Sequence, residues 1–185
     1  MLTRSNDTGN QPRGIAWIAA AAILMMGAVP AKPNTTSCEA DRRSAKARIA
    51  KFDTLDFDVF SHQKWDRLHE SHATDVIVHW PDGHQTRGID KHIEELKAMF
   101  VYAPDTRIEV HPVKLGAGEW TSVIGILEGT FTQPMPMSDG STVPPTGRPF
   151  KLEMCTVGRW KNGVMVEEYL FWDNLRFMKQ IGLSQ

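Results

Sequence analysis

Apolar and polar positions alternate most regularly near the C-terminal end, where FKLEMCTVGRW and VMVEEYLFW flank the pair Asn162-Gly163. Asn-Gly between two apolar runs predicts a tight hairpin, because both turn residues can take positive φ. The strands are expected at 149–160 and 164–172. A helix follows, in which Leu175, Met178 and Ile181 share one face. Alternation puts Phe150, Leu152, Met154, Thr156, Val166, Glu168, Leu170 and Trp172 on one side of the sheet. Glu153, Cys155, Val157, Met165, Glu167, Tyr169 and Phe171 fall on the other. Both sides are largely apolar, which predicts a sheet covered on both faces. Glu168 stands out as a carboxylate on an otherwise oily face.

Upstream, residues 38–51 are rich in Ala, Arg and Lys and predict a weakly amphipathic helix. In HQKWDRLHESH, Trp65, Leu68, His69 and His72 recur at helical spacing, predicting a second helix. DVIVHW, 75–80, reads as a strand closed by the Pro81-Asp82-Gly83 turn. The clearest helix spans 89–100. Ile89, Ile93, Leu96 and Phe100 face inward, Lys91, Glu94, Glu95 and Lys97 face outward, and Pro104 lies beyond the end. Strands are expected at 106–115 and 119–132, and a proline-rich surface flap or lip at 133–148. Helices first, then a run of antiparallel strands with one late helix, predict an α+β fold. Its curved antiparallel sheet would wrap around the N-terminal helices in a cone-shaped barrel and leave an internal pocket.

The chain of 185 residues suits one domain, and its formal net charge of -1, without a basic cluster, gives no sign of a nucleic-acid partner. Arg4 and Arg13 precede an apolar run, Ile15 to Val29, followed by Pro30-Ala31. That pattern predicts a signal peptide over 1–31, export to the periplasm or exterior, and no membrane attachment after cleavage. The run is shorter than the roughly 20 residues of a spanning helix, although an uncleaved anchor is the alternative. Residues 32–52 would form a linker and N-terminal arm, and 53–185 the folded domain. Cys38 and Cys155, the two cysteines, either pair in the exported protein or remain separate thiols, the second being preferred. The histidines of HESH are spaced i, i+3 rather than the i, i+4 of a HExxH zinc helix, so neither metal nor cofactor is expected.

The phrases DVIVHWPDG…TRGIDKHIEEL, GTFTQPM, PPTGRPF and VMVEEYLFWDN…KQIGL resemble the SnoaL-like polyketide cyclase (ester cyclase-like) family, over roughly residues 52 to 183. The resemblance implies the nuclear-transport-factor-like cone fold, with six curved strands against three helices. It also implies intramolecular aldol ring closure by an aspartate acid/base, helped by a histidine and a glutamine. In this chain the aspartate position falls on Leu170, the histidine on Thr156, the glutamine on Met154 and a second histidine on Phe131. None of these four can carry the family's proton transfer as it stands.

The residues present suggest a different set. Glu168 on the pocket face would have its pKa raised by desolvation and act as general base. His79 would be its proton-handling partner, and Asp173 either a helix N-cap or a second acid at the rim. Trp65, His69, Trp80, Phe131, Met154, Thr156, Leu170 and Trp172 would line the pocket. The expected activity is cofactor-free acid/base cyclisation or isomerisation of a small hydrophobic carbonyl compound. The alternative is a non-catalytic binding protein for a hydrophobic small molecule. A homodimer through the outer face, at Val157, Tyr169 and Phe171, is also expected.

Overall fold

A computed structural model describes residues 35–137 and 139–184; the proposed signal segment lies outside them. Among the described residues no helix is long and apolar enough to cross a membrane. Helix α1 (Thr35–Thr54) continues into a π-helical stretch, Leu55–Phe60, and a 3-10 helix follows at Trp65–Glu70. Then come β1 (His72–His79), β2 (Gln85–Arg87), α2 (Ile89–Tyr102), β3 (Arg107–Ile108), β4 (Val113–Ala117) and β5 (Trp120–Thr130). Short β6 (Met135–Pro136) and β7 (Thr142–Val143) pair within the proline-rich connection. Long β8 (Pro149–Lys161), β9 (Val164–Phe171) and α3 (Asn174–Gln180) complete the chain.

The main sheet runs β2-β1-β9-β8-β5-β3, with β4 also on β5. Its architecture is α+β, as expected, but the sheet is mixed, because β1 lies parallel to β9. Only a short hairpin connection forces antiparallel pairing, and residues 80–163, α2 among them, separate β1 from β9. The β8–β9 turn is the predicted one, with Asn162 at φ 50° and Gly163 at φ 82°. Just past it the register shifts: Arg159 pairs with Glu167, but Trp160 pairs with Met165, so Val166 is the extra residue of a bulge. The bulge turns Met165 inward, fully buried, and leaves Val166 only half-buried, reversing the faces expected for those two.

Three other expectations change. The helix predicted through His72 is a single 3-10 stretch ending at Glu70, and His72 opens β1. Such stretches seldom run long, and the β-branched residues Thr74, Val76, Ile77 and Val78 favour a strand. The strand expected at 106–115 is broken between Ile108 and Val113, where Pro112 has no N–H for a ladder. Helix α1 is longer than predicted and packs on the sheet through buried Ala45, against Gly116 of β4. Cys38 on α1 and Cys155 on the outer side of β8 are free thiols.

The inner face of β5 is built from Thr121, Val123, Gly125, Leu127 and Gly129, and that of β8 from Phe150, Leu152, Met154, Thr156, Gly158 and Trp160. At Gly129 side chains approach closely: a Cβ there would meet the Phe150 ring at 2.8 Å and Thr106 Oγ1 at 3.0 Å. Phe150 is 2% exposed and has little room to yield. Gly129→Ala is therefore predicted to cost about 1–3 kcal/mol in urea denaturation. An unchanged midpoint would show that the ring moves aside freely.

Candidate functional site

Between the inner face of the sheet, the π-helical stretch and α2 lies a pocket with Leu170, Met154, Trp80, Trp172 and Leu96 on its walls. Its polar groups are Asp56, His72, His92, Glu95, Thr156 and Glu168. The space open to the centre of a water molecule is about 50 Å³, and each water needs roughly 10–15 Å³ on that measure. The cavity thus holds a few waters or one small group unless its walls move.

Glu168 lies in a row across the sheet, between Val78 of β1 and Gly158 of β8. It is 4% exposed. Its Oε2 is 3.5 Å from His72 Nε2 and 3.3 Å from His92 Nε2. At these distances the contacts are electrostatic, and His72 Nε2, His92 Nδ1 and Glu168 Oε2 are all buried without a hydrogen-bond partner. Burial pushes the Glu168 carboxyl up, but the adjacent His72 and His92 more than offset this and hold it below its ordinary value. That reverses the upward shift expected from desolvation. Burial lowers the His92 imidazole to about 4, so it is neutral at pH 7.

A second buried carboxylate reaches the same pocket. Asp53, at the end of α1, and Asp56, in the π-helical stretch, are three residues apart on one face. His111, from the break between β3 and β4, fits between them, with Nδ1 2.8 Å from Asp53 and Nε2 2.8 Å from Asp56. Asp53 is also bound by Lys114 at 2.7 Å and is 30% exposed. Burial raises the Asp56 pKa and outweighs the hydrogen bond from His111. Burial opposes the charge on His111, yet the two carboxylates raise its pKa overall. Asp53, His111 and Asp56 thus form a hydrogen-bonded line from the surface to the pocket wall.

The family model for SnoaL-like polyketide cyclases matches residues 53–181. The chain belongs to the SnoaL-like polyketide cyclase family. Its fold is similar to wild-type IdmH of Streptomyces antibioticus, a candidate polyketide cyclase, with 22% identity, a TM-score of 0.62, and coverage of 73% of this chain and 98% of that one. It is also similar to a SnoaL-like cyclase candidate of Jannaschia sp. CCS1, with 19% identity, a TM-score of 0.65, and coverage of 76% and 95%. A nuclear transport factor 2-like protein of Burkholderia pseudomallei aligns with a TM-score of 0.56 at 18% identity, covering 77% and 97%. At such identities the likeness shows the nuclear transport factor 2-like fold. No curated protein matches the sequence.

Leu170, Thr156 and Met154, where the family resemblance places the SnoaL-like catalytic groups, all line the pocket described above. Trp80 and Trp172 line it too, with their rings edge to face at 6.4 Å. The other expected residues lie elsewhere. Trp65 packs against Phe60 and Phe100, and Phe131 is fully buried against Tyr102. His69 is exposed, with Nδ1 on the Asp66 carbonyl. Asp173 caps α3, accepting from the Arg176 N–H at 2.9 Å. His79 does not meet Glu168: even- and odd-numbered residues of a strand face opposite ways. Its Nε2 is 3.1 Å from Glu167 and its ring stacks on Tyr169 at 4.0 Å, on the outer face.

His92, Asp56 and His111 went unread in the sequence. His92 had a visible signal, since it falls on the apolar stripe of α2 between Ile89 and Leu96. Nothing in the pattern foretold the π-helical turn that aims Asp56 inward. His111→Gln, which strips a buried carboxylate of its partner, is predicted to destabilise the protein by about 3–5 kcal/mol at pH 7. His79→Gln, on the half-exposed outer cluster, is predicted to cost less than about 1 kcal/mol. Equal losses in chemical denaturation would show that Asp56 does not need His111.

Proposed function

We propose that this SnoaL-like protein is an exported enzyme that cyclises or isomerises a small hydrophobic carbonyl compound by acid/base chemistry, with Asp56 moving the proton. The observation that carries this reading is the line from Asp56 through His111 to solvent-facing Asp53, with both hydrogen bonds at 2.8 Å. A carboxylate raised toward neutrality can take a proton from carbon and give it back. His111 lets that proton equilibrate with the exterior while the pocket stays closed to bulk water. Glu168 stays in the site but in a different role. Held ionised below its usual range, it is a weak proton acceptor, and with His72 and His92 it forms the polar end that receives the ligand's oxygen. Leu170, Met154, Trp80 and Trp172 supply the apolar remainder.

Export is supported by the basic, then apolar, N-terminal segment. The carrier reading is favoured by one observation: Leu170, Thr156 and Met154, where the family resemblance places the proton-handling groups, line the pocket without an acidic or imidazole side chain. Exchange of solvent deuterium into the carbon next to the carbonyl, across a panel of hydrophobic β-diketones, separates the two. Asp56→Asn is predicted to slow exchange by about 10²–10⁴-fold while leaving diketone binding nearly unchanged. Exchange that ignores Asp56→Asn would overturn the assignment, and binding without exchange in the unaltered protein would favour the carrier.

A further inference from the structure

We propose that His72, His92 and Glu168 form a binding site for a divalent metal ion of the zinc class, with its open coordination position facing the pocket. The three come from β1, α2 and β9, and one ligand atom from each lies within 4.8 Å of the other two. All three side chains are at least nine-tenths buried, and each leaves a polar atom without a hydrogen-bond partner. A buried polar atom left unpaired costs about 1–3 kcal/mol, and two of these atoms, His72 Nε2 and Glu168 Oε2, face each other and call for a shared partner.

Distances point to a cation as that partner. Ser71 Oγ lies 2.9 Å from His72 Nδ1 and 3.1 Å from the Leu68 carbonyl, so it holds the His72 ring by Nδ1 and leaves Nε2 for another partner. His72 Nε2 then faces the Glu168 carboxylate 3.5 Å away. A cation between the two atoms would be bonded by both. Donors on one tetrahedral zinc, bonded at about 2.0–2.2 Å, lie roughly 3.3–3.5 Å apart. The observed separations from Glu168 Oε2 are 3.3 Å to His92 and 3.5 Å to His72. Octahedral neighbours at right angles would sit closer, at roughly 2.9 Å for bonds of that length.

The surroundings also suit a metal. Ser71 fixes the His72 ring through its other nitrogen, as outer partners of metal-bound histidines do. Two histidines and one carboxylate leave a position for water or an oxygen of the ligand, the composition of catalytic rather than structural zinc sites. Most of the remaining pocket wall is apolar, which strengthens the pull of a cation on a carbonyl oxygen. Cation binding itself is independent of Asp56. The assignment of the fourth position to a substrate carbonyl rests on the functional reading above.

The test uses the full chain freed of metal by chelation, titrated with Zn²⁺ by calorimetry and with Co²⁺ by visible absorption. One ion per chain is expected, with the intense cobalt bands of four-coordinate geometry. His72→Gln, His92→Gln and Glu168→Gln should each weaken Zn²⁺ by at least about 100-fold, since loss of an outer partner alone costs 10–100-fold. Ser71→Ala should cost about 10–100-fold and carries the test if a ligand variant fails to fold by circular dichroism. His79→Gln, on the opposite face, should bind as the unaltered chain does. Absence of stoichiometric binding, or affinity indifferent to these substitutions, would overturn the site. No substrate is involved, so a silent Asp56→Asn variant beside intact Zn²⁺ binding would sink the functional reading alone.

Discussion

Taking an ionised carboxylate out of water costs several kcal/mol, and it is tolerated only where opposite charge or hydrogen bonds compensate. Glu168, ionised and almost wholly buried, is the most demanding group in this structure. Much of the surrounding architecture determines whether it can be accommodated. Gly158 lies beside it across the β8–β9 ladder, and Met165 and Trp160 fill the space a larger residue there would need. The bulge at Val166 brings Met165 to the inner face alongside Glu168. The parallel pairing of β1 places Val78 next to Glu168 and carries His72 to its side, while α2 contributes His92.

The two buried carboxylates of the pocket are pushed in opposite directions. Glu168 is drawn down by imidazoles; Asp56 is raised by burial despite its bond to His111. Groups so separated can divide the labour of one reaction, one remaining charged while the other exchanges a proton. The division follows from backbone detail. A π-helical turn adds a residue to the helical repeat, so that Leu55, Asp56, Val59 and Phe60 are all buried, and such turns recur at functional sites. The interruption between β3 and β4 then brings His111 within reach of both aspartates.

Features set by short-range rules could be read from the sequence. The Asn162-Gly163 turn, the apolar stripe of α2, the pocket face of β8 and Glu168 itself all follow from local pattern and turn chemistry, although Glu95, expected to face outward, reaches the pocket wall. The family resemblance and the α+β class were legible for the same reason. What escaped was non-local or irregular. A one-residue bulge exchanged Met165 and Val166, and a 3-10 stretch ended early and released His72 into a strand. Its place at the end of the first strand, where a pocket would open, suggests His79 as the partner of Glu168, yet the parallel register sets it beside Glu167 on the other face. The meeting of His72, His92 and Glu168 joins three distant segments, and no spacing rule reports it.

A side chain kept for chemistry against the interest of stability leaves a recognisable mark when it is removed. Glu168→Met keeps most of the volume and deletes the buried charge, so the urea midpoint of the chelator-treated chain tests the matter directly. The metal-free variant is predicted to be at least as stable as the unaltered protein, because His92, neutral at pH 7, is not left as an unpaired buried charge. A loss of about 3 kcal/mol or more would contradict this, and would make Glu168 a structural carboxylate whose contacts hold the sheet and α2 together.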